Sequence, residues 1–252
     1  MNTNNNLYTV VYTTIIVVIV AAVLAFVSQS LKSRQDANEK AETISQMLTA
    51  GGFGNKAEFQ AMGNAKVLET YGNEVAAAFT VDAAGAKVAD LDIAAKEVFS
   101  RSQLKAQNYK VKAGEGYALP VFIFKNGITV VPVYGAGLWG PIWGYIAFEA
   151  DGNTIHGAYF DHESETAGLG AKIKDDPAFQ AQFVGEKAFF GESPIFAIVK
   201  GGAPKEDGKS LTDNKIDAIT GATMTSQGLD AAINAWLGAY AAYFGTAKAV
   251  EE

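Results

Sequence analysis

Between Asp217 and Thr225 the chain reads Asp-Ala-Ile-Thr-Gly-Ala-Thr-Met-Thr, which sets the hydroxyls of Thr220, Thr223 and Thr225 around the small pair Gly221-Ala222. An apolar stripe follows at once. Leu229, Ile233, Trp236, Leu237, Tyr240 and Tyr243 recur at threes and fours, the spacing of one buried face of a long helix beginning near Thr225. The first turn of a helix has amide N–H groups without intrahelical acceptors and carries the positive end of the helix dipole. A phosphate is therefore stabilised there, and Gly221 lets the backbone come close to it. Capping of the helix by Thr225 or Ser226 is the plainer use of the same hydroxyls.

Other strings mimic known chemistry and fail on context. Gly135-Ala-Gly137-Leu-Trp-Gly140 satisfies G-x-G-x-x-G, but Pro141 and Ile142-Trp143 begin a strand where a helix would have to receive the pyrophosphate. Five residues separate Gly202 from Gly208-Lys209-Ser210 where a P-loop has four, and no apolar helix follows, so this stretch reads as a polar surface loop. Asp161, His162, Glu163 and Glu165 crowd metal-type ligands into one short stretch, an arrangement that seldom wraps one ion. His156, alone in a strand, reads as structural. With no Cys, the chain has no disulfide, no Cys-ligated iron–sulfur cluster and no thiol nucleophile; a redox centre would be an organic cofactor or a metal on oxygen and nitrogen. The net charge of −7 argues against nucleic acid as a partner.

The string from Asp217 to Thr225 resembles the Asp-x-x-[Ser/Thr]-Gly-Ala-[Thr/Ser]-x-Thr signature of the FMN-binding domains in bacterial sodium-translocating NADH:quinone oxidoreductase and the related Rnf complex. Two more segments resemble the same family. Tyr134-Gly-Ala-Gly-Leu-Trp139-Gly-Pro-Ile-Trp143-Gly-Tyr145 looks like its Gly-x-Gly-Leu-Trp stretch, which is more typical of the quinone-oxidoreductase branch. Glu165-Thr166-Ala167-Gly168-Leu169-Gly170 looks like its Glu-Thr-Pro-Gly-Leu-Gly loop, with Ala167 where Pro is usual, so this loop is less pre-set in φ. The resemblance implies FMN attached covalently to Thr225 through a phosphoester made by a separate flavin transferase. Thr220, Gly221, Ala222 and Thr223 then surround the phosphate, and Glu165, Thr166, Gly168, Leu169, Leu138 and Trp139 line the flavin. Trp143 and Tyr145 either approach the ring or are core aromatics.

What the family does is electron relay within a membrane complex. The resemblance implies other subunits as partners, NADH as the electron source, ubiquinone or menaquinone as acceptor, and coupled sodium export. The alternatives are the Rnf branch, passing electrons between ferredoxin and NAD, and a membrane-anchored ligand-binding or sensor domain whose helix start binds phosphate reversibly.

These residues need elements to hold them. Leu7 to Val27 carries no charge, long enough to cross the roughly 30 Å hydrocarbon core of a bilayer as one helix. No basic residue precedes it and Ala25-Phe26-Val27-Ser28 is a poor cleavage site, so a retained anchor is expected. Lys32 and Arg34 follow the span and by charge would keep the large domain in the cytoplasm, whereas the family's flavin domain is periplasmic, on the outer side of the inner membrane; we expect the family's orientation. Arg34 to Leu48 predicts a polar stalk helix closed by Gly51-Gly52. Strands are predicted at 75–81, 87–93, 117–124, 128–133, 142–149, 154–160 and 195–199, with hairpin turns at Asn126-Gly127 and Asp151-Gly152-Asn153. Helices are predicted at 94–107 and 177–183. The expected class is α+β: an N-terminal transmembrane helix, then an FMN-binding domain with a mainly antiparallel sheet flanked by helices. The expected division is 1–31 anchor, 32–116 stalk and membrane-proximal part, and 117–252 FMN-binding part.

Overall fold

The computed structural model describes residues 6–203, 205–206, 209–210 and 213–248. The chain forms two compact units, one up to Lys40 and one from Ala41 onward.

Helix α1 (Asn6–Ala50) is one continuous helix where a span and a separate stalk helix were expected. In the first unit its apolar side chains from Leu7 to Leu31 are exposed, and by length and composition it is able to cross a membrane. Thr13 and Thr14 return their hydroxyls to the carbonyls of Thr9 and Val10 at 2.8 and 2.7 Å, which satisfies these polar groups within the helix, as a membrane span would require.

In the second unit the last turns of α1 bury Ile44, Met47 and Leu48. Two short helices follow, α2 (Lys56–Met62) and α3 (Asn64–Glu74). A capping box between Asn55 and Glu58 sets the start of α2. Sequence periodicity did not reveal either helix. The helix expected at 94–107 forms later, as α4 (Arg101–Ala113). Asp92 and Glu97 close a turn over 92–97, Ser100 and Gln103 form a capping box, and left-handed Gly114 ends the helix.

The sheet runs β2 (Lys87–Asp90), β1 (Val75–Val81), β3 (Leu119–Phe124), β4 (Thr129–Ala136), β5 (Pro141–Phe148), β6 (Ile155–His162), each strand antiparallel to its neighbour. The expected α+β class with a mainly antiparallel sheet is therefore what forms. Because β1 pairs with β3, residues on both sides of position 116 share one sheet. Both hairpin turns form as read: Gly127 adopts φ +85, and the Asp151 carboxylate accepts the N–H groups of Asn153 and Thr154.

The central strands are buried on both faces, as period-2 alternation allows. One face carries Val131, Val133, Ile146, Phe148 and Phe160 against α7 (Thr223–Lys248). The other carries Phe122, Phe124, Val130, Tyr145 and Tyr159 against Ile44, Met47 and Tyr71. Helix α7 is anchored by polar contacts as well. Trp236 Nε1 donates to Asn108 Oδ1 at 3.0 Å, and Tyr240 OH donates to the Pro120 carbonyl at 2.8 Å. Burial pushes the Tyr240 phenol far up from its ordinary value, so it stays a neutral donor.

Smaller pieces complete the unit: helices α5 (Lys172–Asp175) and α6 (Pro177–Ala181), strand β7 (Ala197–Val199), the hairpin of β8 (Lys205–Glu206) and β9 (Lys209–Ser210), and β10 (Lys215–Asp217) parallel to β7. The expected surface loop over 202–210 lies partly outside the described residues.

Candidate functional site

The turn before α7 is built by two contacts. Ala222 N–H donates to the Ile219 carbonyl at 3.1 Å, and Ser226 Oγ accepts the Ile219 N–H at 3.1 Å. Gly221, at φ +81, reverses the chain there, where a side chain would be strained. Helix α7 begins at Thr223, two residues earlier than the hydroxyl pattern predicts, so neither Thr225 nor Ser226 caps it. The N–H groups of Thr223, Met224 and Thr225 have no backbone acceptor among the described residues, which leaves three donors pointing out of the helix start.

The three hydroxyls separate clearly. Thr220 is exposed and Thr223 half-exposed, whereas Thr225 is 1% exposed. Thr225 Oγ1 donates inward to Glu165 Oε2 at 2.6 Å. The hydroxyl of Thr223 makes no hydrogen bond to the described residues.

Glu165 ties the three motif segments together. It is 7% exposed; Oε2 takes the Thr225 hydroxyl, Oε1 takes the Trp139 N–H at 2.9 Å, and its own N–H donates to His162 Nδ1 at 3.1 Å. Two glycines make room for this carboxylate. A Cβ at Gly137 would collide with Oε1, and one at Gly170 would collide with Oε2 and the Thr225 hydroxyl. The resemblance implies that Glu165 lines the flavin; in the fold it is buried, and its carboxylate brackets Thr225 and Trp139. Glu165→Ala leaves the buried Thr225 hydroxyl without its acceptor and frees the part-buried Trp139 amide, so it lowers stability by about 2–3 kcal/mol in urea unfolding. An unchanged unfolding midpoint would remove the bracket role.

Above the bracket lies an apolar shelf. Leu138, Trp139, Leu169 and Met224 are exposed, Trp139 to 65%. They come from the β4–β5 turn, the loop after β6 and the start of α7. Leu169 lies over Gly221, its Cδ2 3.0 Å from where a Cβ would stand. Thr166 and Gly168 are exposed on the same loop, whose tight form comes from the Thr166 carbonyl accepting the N–H groups of Leu169 and Ala171 at 3.1 Å each. Trp143 and Tyr145 are core aromatics: Trp143 Nε1 donates to Gln46 Oε1 at 3.1 Å, and Tyr145 packs on the α1 face of the sheet.

A cavity of about 350 Å³ borders the same turn, lined by Lys172, Asp176, Gln182, Asp217, Ile219 and Thr220 among others. Asp217 fixes the turn from behind: its N–H donates to Gln182 Oε1 at 2.9 Å, and Oδ1 accepts the Ala203 N–H at 2.8 Å. Sequence reasoning missed Lys172, Asp176 and Gln182, since nothing in their spacing links them to Asp217. The four metal-type side chains at the end of β6 and in the loop that follows diverge: the Asp161 carboxylate engages Gln46 and Lys174, and that of Glu165 engages Thr225 and Trp139. Among the described residues no group of three or more His, Cys, Asp or Glu is placed to hold a metal. Free amides, a half-exposed hydroxyl and an apolar shelf make a donor set that fits a phosphate ester carrying a planar ring.

Residues 137–238 match the family model of the FMN-binding domain. The C subunit of the Na(+)-translocating NADH-quinone reductase of Vibrio vulnificus (strain YJ016) is 29% identical over 229 residues, covering 86% of this chain and 84% of that protein. Among solved structures, the chain is similar to the crystal structure of the Na(+)-translocating NADH-quinone reductase C subunit from Parabacteroides distasonis, with a TM-score of 0.67 and 32% identity over 85% of this chain and 96% of that one. It is also similar to Shewanella oneidensis NqrC, with a TM-score of 0.65 and 25% identity over 84% of this chain and 99% of that one.

Proposed function

The chain belongs to the NqrC family, the C subunits of the Na(+)-translocating NADH-quinone reductases, and from that premise we propose that it holds FMN as a phosphoester at the start of α7 and relays electrons through it. It is an electron-transfer flavoprotein subunit of a multi-subunit NADH-quinone reductase. Bound FMN supplies one-electron chemistry between a donor and an acceptor in neighbouring subunits.

The family signature assigns the ester to Thr225, but the side-chain arrangement favours Thr223. The Thr225 hydroxyl is buried and committed to Glu165, with Gly170 packed beside it, so a phosphate on that oxygen would have to displace a buried carboxylate. Thr223 presents a half-exposed hydroxyl on the first residue of the helix, beside three unpaired amides that stabilise the remaining phosphate charge. That pairing of hydroxyl and free amides is the observation that carries the proposal.

Residues on the chain divide the remaining work. Thr220, Gly221 and Ala222 shape the approach to the phosphate, and Leu138, Trp139, Leu169 and Met224 offer the ring an apolar face, flanked by Thr166 and Gly168. Glu165 keeps their three segments in register. The ester is formed by a separate flavin transferase, so the chain needs no nucleophile-activating triad of its own. Fragment masses of protein made in a host with that transferase place FMN on Thr223; an unmodified 217–225 segment refutes covalent attachment.

Anchored by α1, the flavin domain faces the periplasm, NADH is oxidised and ubiquinone or menaquinone reduced in other subunits, and sodium export is coupled to the transfer. Sodium passes elsewhere in the complex, because the span from Leu7 to Val27 contains no carboxylate to hold a cation. Protease added to intact spheroplasts digests the flavin domain in this orientation. Protection until the membrane is broken would reverse it.

A further inference from the structure

One set of buried polar contacts is unused by the flavin reading, although it ends at the flavin site. Gln46, in the part of α1 buried within the second unit, donates from Nε2 to Asp161 Oδ2 at 2.8 Å while accepting from Trp143 Nε1. Asp161, 1% exposed, accepts the His162 N–H on Oδ1 at 2.7 Å, and the same oxygen pairs with Lys174 Nζ at 2.6 Å. His162 Nδ1 accepts the Glu165 N–H. Glu165 then holds Thr225 and Trp139 through its two carboxylate oxygens. The contacts therefore form an unbroken series from α1 to both the helix start and the β4–β5 turn, joining residues up to 115 positions apart.

The loop between β6 and α5 needs such support. From Glu163 to Leu169 every residue is exposed except Glu165, so the loop has one buried handhold of its own. Ala167 stands where a proline would have restricted the backbone, which leaves the unfolded loop more conformations to lose. Since an N–H donates to His162 Nδ1, the ring is assigned the tautomer with its proton on Nε2. That Nε2 is buried with no acceptor among the described residues, so the Nδ1 contact alone orients the polar edge of the ring.

We propose that Gln46, Asp161 and His162 are positioning residues for the flavin-bearing turn, acting as a hydrogen-bonded strut that sets Glu165 and through it Thr225 and Trp139. The proposal rests on the FMN reading above. It assigns to a residue of α1 an influence on a cofactor it does not touch, and it explains how this chain holds the loop in place without the proline.

Hydrogen exchange on the full chain in detergent, before flavin loading, tests the strut directly. His162→Leu removes the acceptor, and the amides of Glu165 and Trp139 then exchange about ten-fold faster or more, while those of Trp236 and Tyr240 in α7 keep their protection. His162→Asn, whose Oδ1 can stand in for Nδ1, restores slow exchange. After loading, His162→Leu and Gln46→Met shift the midpoint potential of the attached flavin and lower its fluorescence anisotropy, and His162→Asn does neither. Unchanged Glu165 and Trp139 amides, protection lost uniformly through α7, or loosened amides with an unaltered potential and anisotropy each overturn the strut. Wild-type protein that acquires no FMN overturns the reading of the site instead, and is told apart because the exchange measurement needs no flavin.

Discussion

Thr223→Val yields protein that is colourless after denaturation and desalting, whereas Thr225→Val retains flavin on the helix start. The contrast follows from where the two hydroxyls go. Valine at 223 deletes the accessible oxygen and leaves the fold intact, so loss of covalent flavin is complete. Valine at 225 deletes a donor to a buried carboxylate, an effect on stability of about 1.5–3 kcal/mol, with attachment still possible at 223. Circular dichroism separates a folding defect from a chemical one. A yellow Thr223→Val protein beside a colourless, folded Thr225→Val protein would return the ester to Thr225 and require Glu165 to give way on modification.

The largest stability effect is expected from Trp236→Ala. Trp236 is fully buried where α7 meets the sheet and α4, and its indole N–H satisfies Asn108, itself buried. Truncation costs about 3–5 kcal/mol for the lost packing and cavity, and leaves the Asn108 carbonyl without its donor for about 1–3 kcal/mol more. Trp236→Phe fills most of the volume and loses the second contribution but little of the first. Chemical unfolding of the full chain in detergent measures both; equal losses for the two variants would show that the hydrogen bond, not the volume, matters.

Much of the architecture was legible because it is local. Asn126-Gly127 and Asp151-Gly152-Asn153 specify their turns from within a few residues, and the stripe from Leu229 to Tyr240 repeats often enough to announce α7. Helices α2 and α3 are too short to display a period, and their boundaries come from Asn55, Glu58 and Gly63. Residues 94–107 were expected to form one helix, yet Lys96 adopts φ +56 and the cap at Ser100 restarts the chain.

The site was legible as three segments and not as a geometry. Asp217 to Thr225, Glu165 to Gly170 and Leu138-Trp139 do converge. Which hydroxyl faces out depends on helix phase: α7 starts two residues earlier than the hydroxyl pattern predicts, and in that phase Thr225 turns inward while Thr223 stays half-exposed. The inward turn of Glu165 depends on partners 60 and 26 positions away, and on glycines that look like mere flexibility until a carboxylate is found beside them.

The apolar shelf formed by Leu138, Trp139, Leu169 and Met224 is open to solvent rather than enclosed. Enclosure is what gives a pocket its grip on a small molecule, and a ring resting on so shallow a seat would drift away between turnovers. The permanent chemical tether proposed for Thr223 would substitute for the missing walls, and the same openness would leave the ring edge within reach of a docking neighbour.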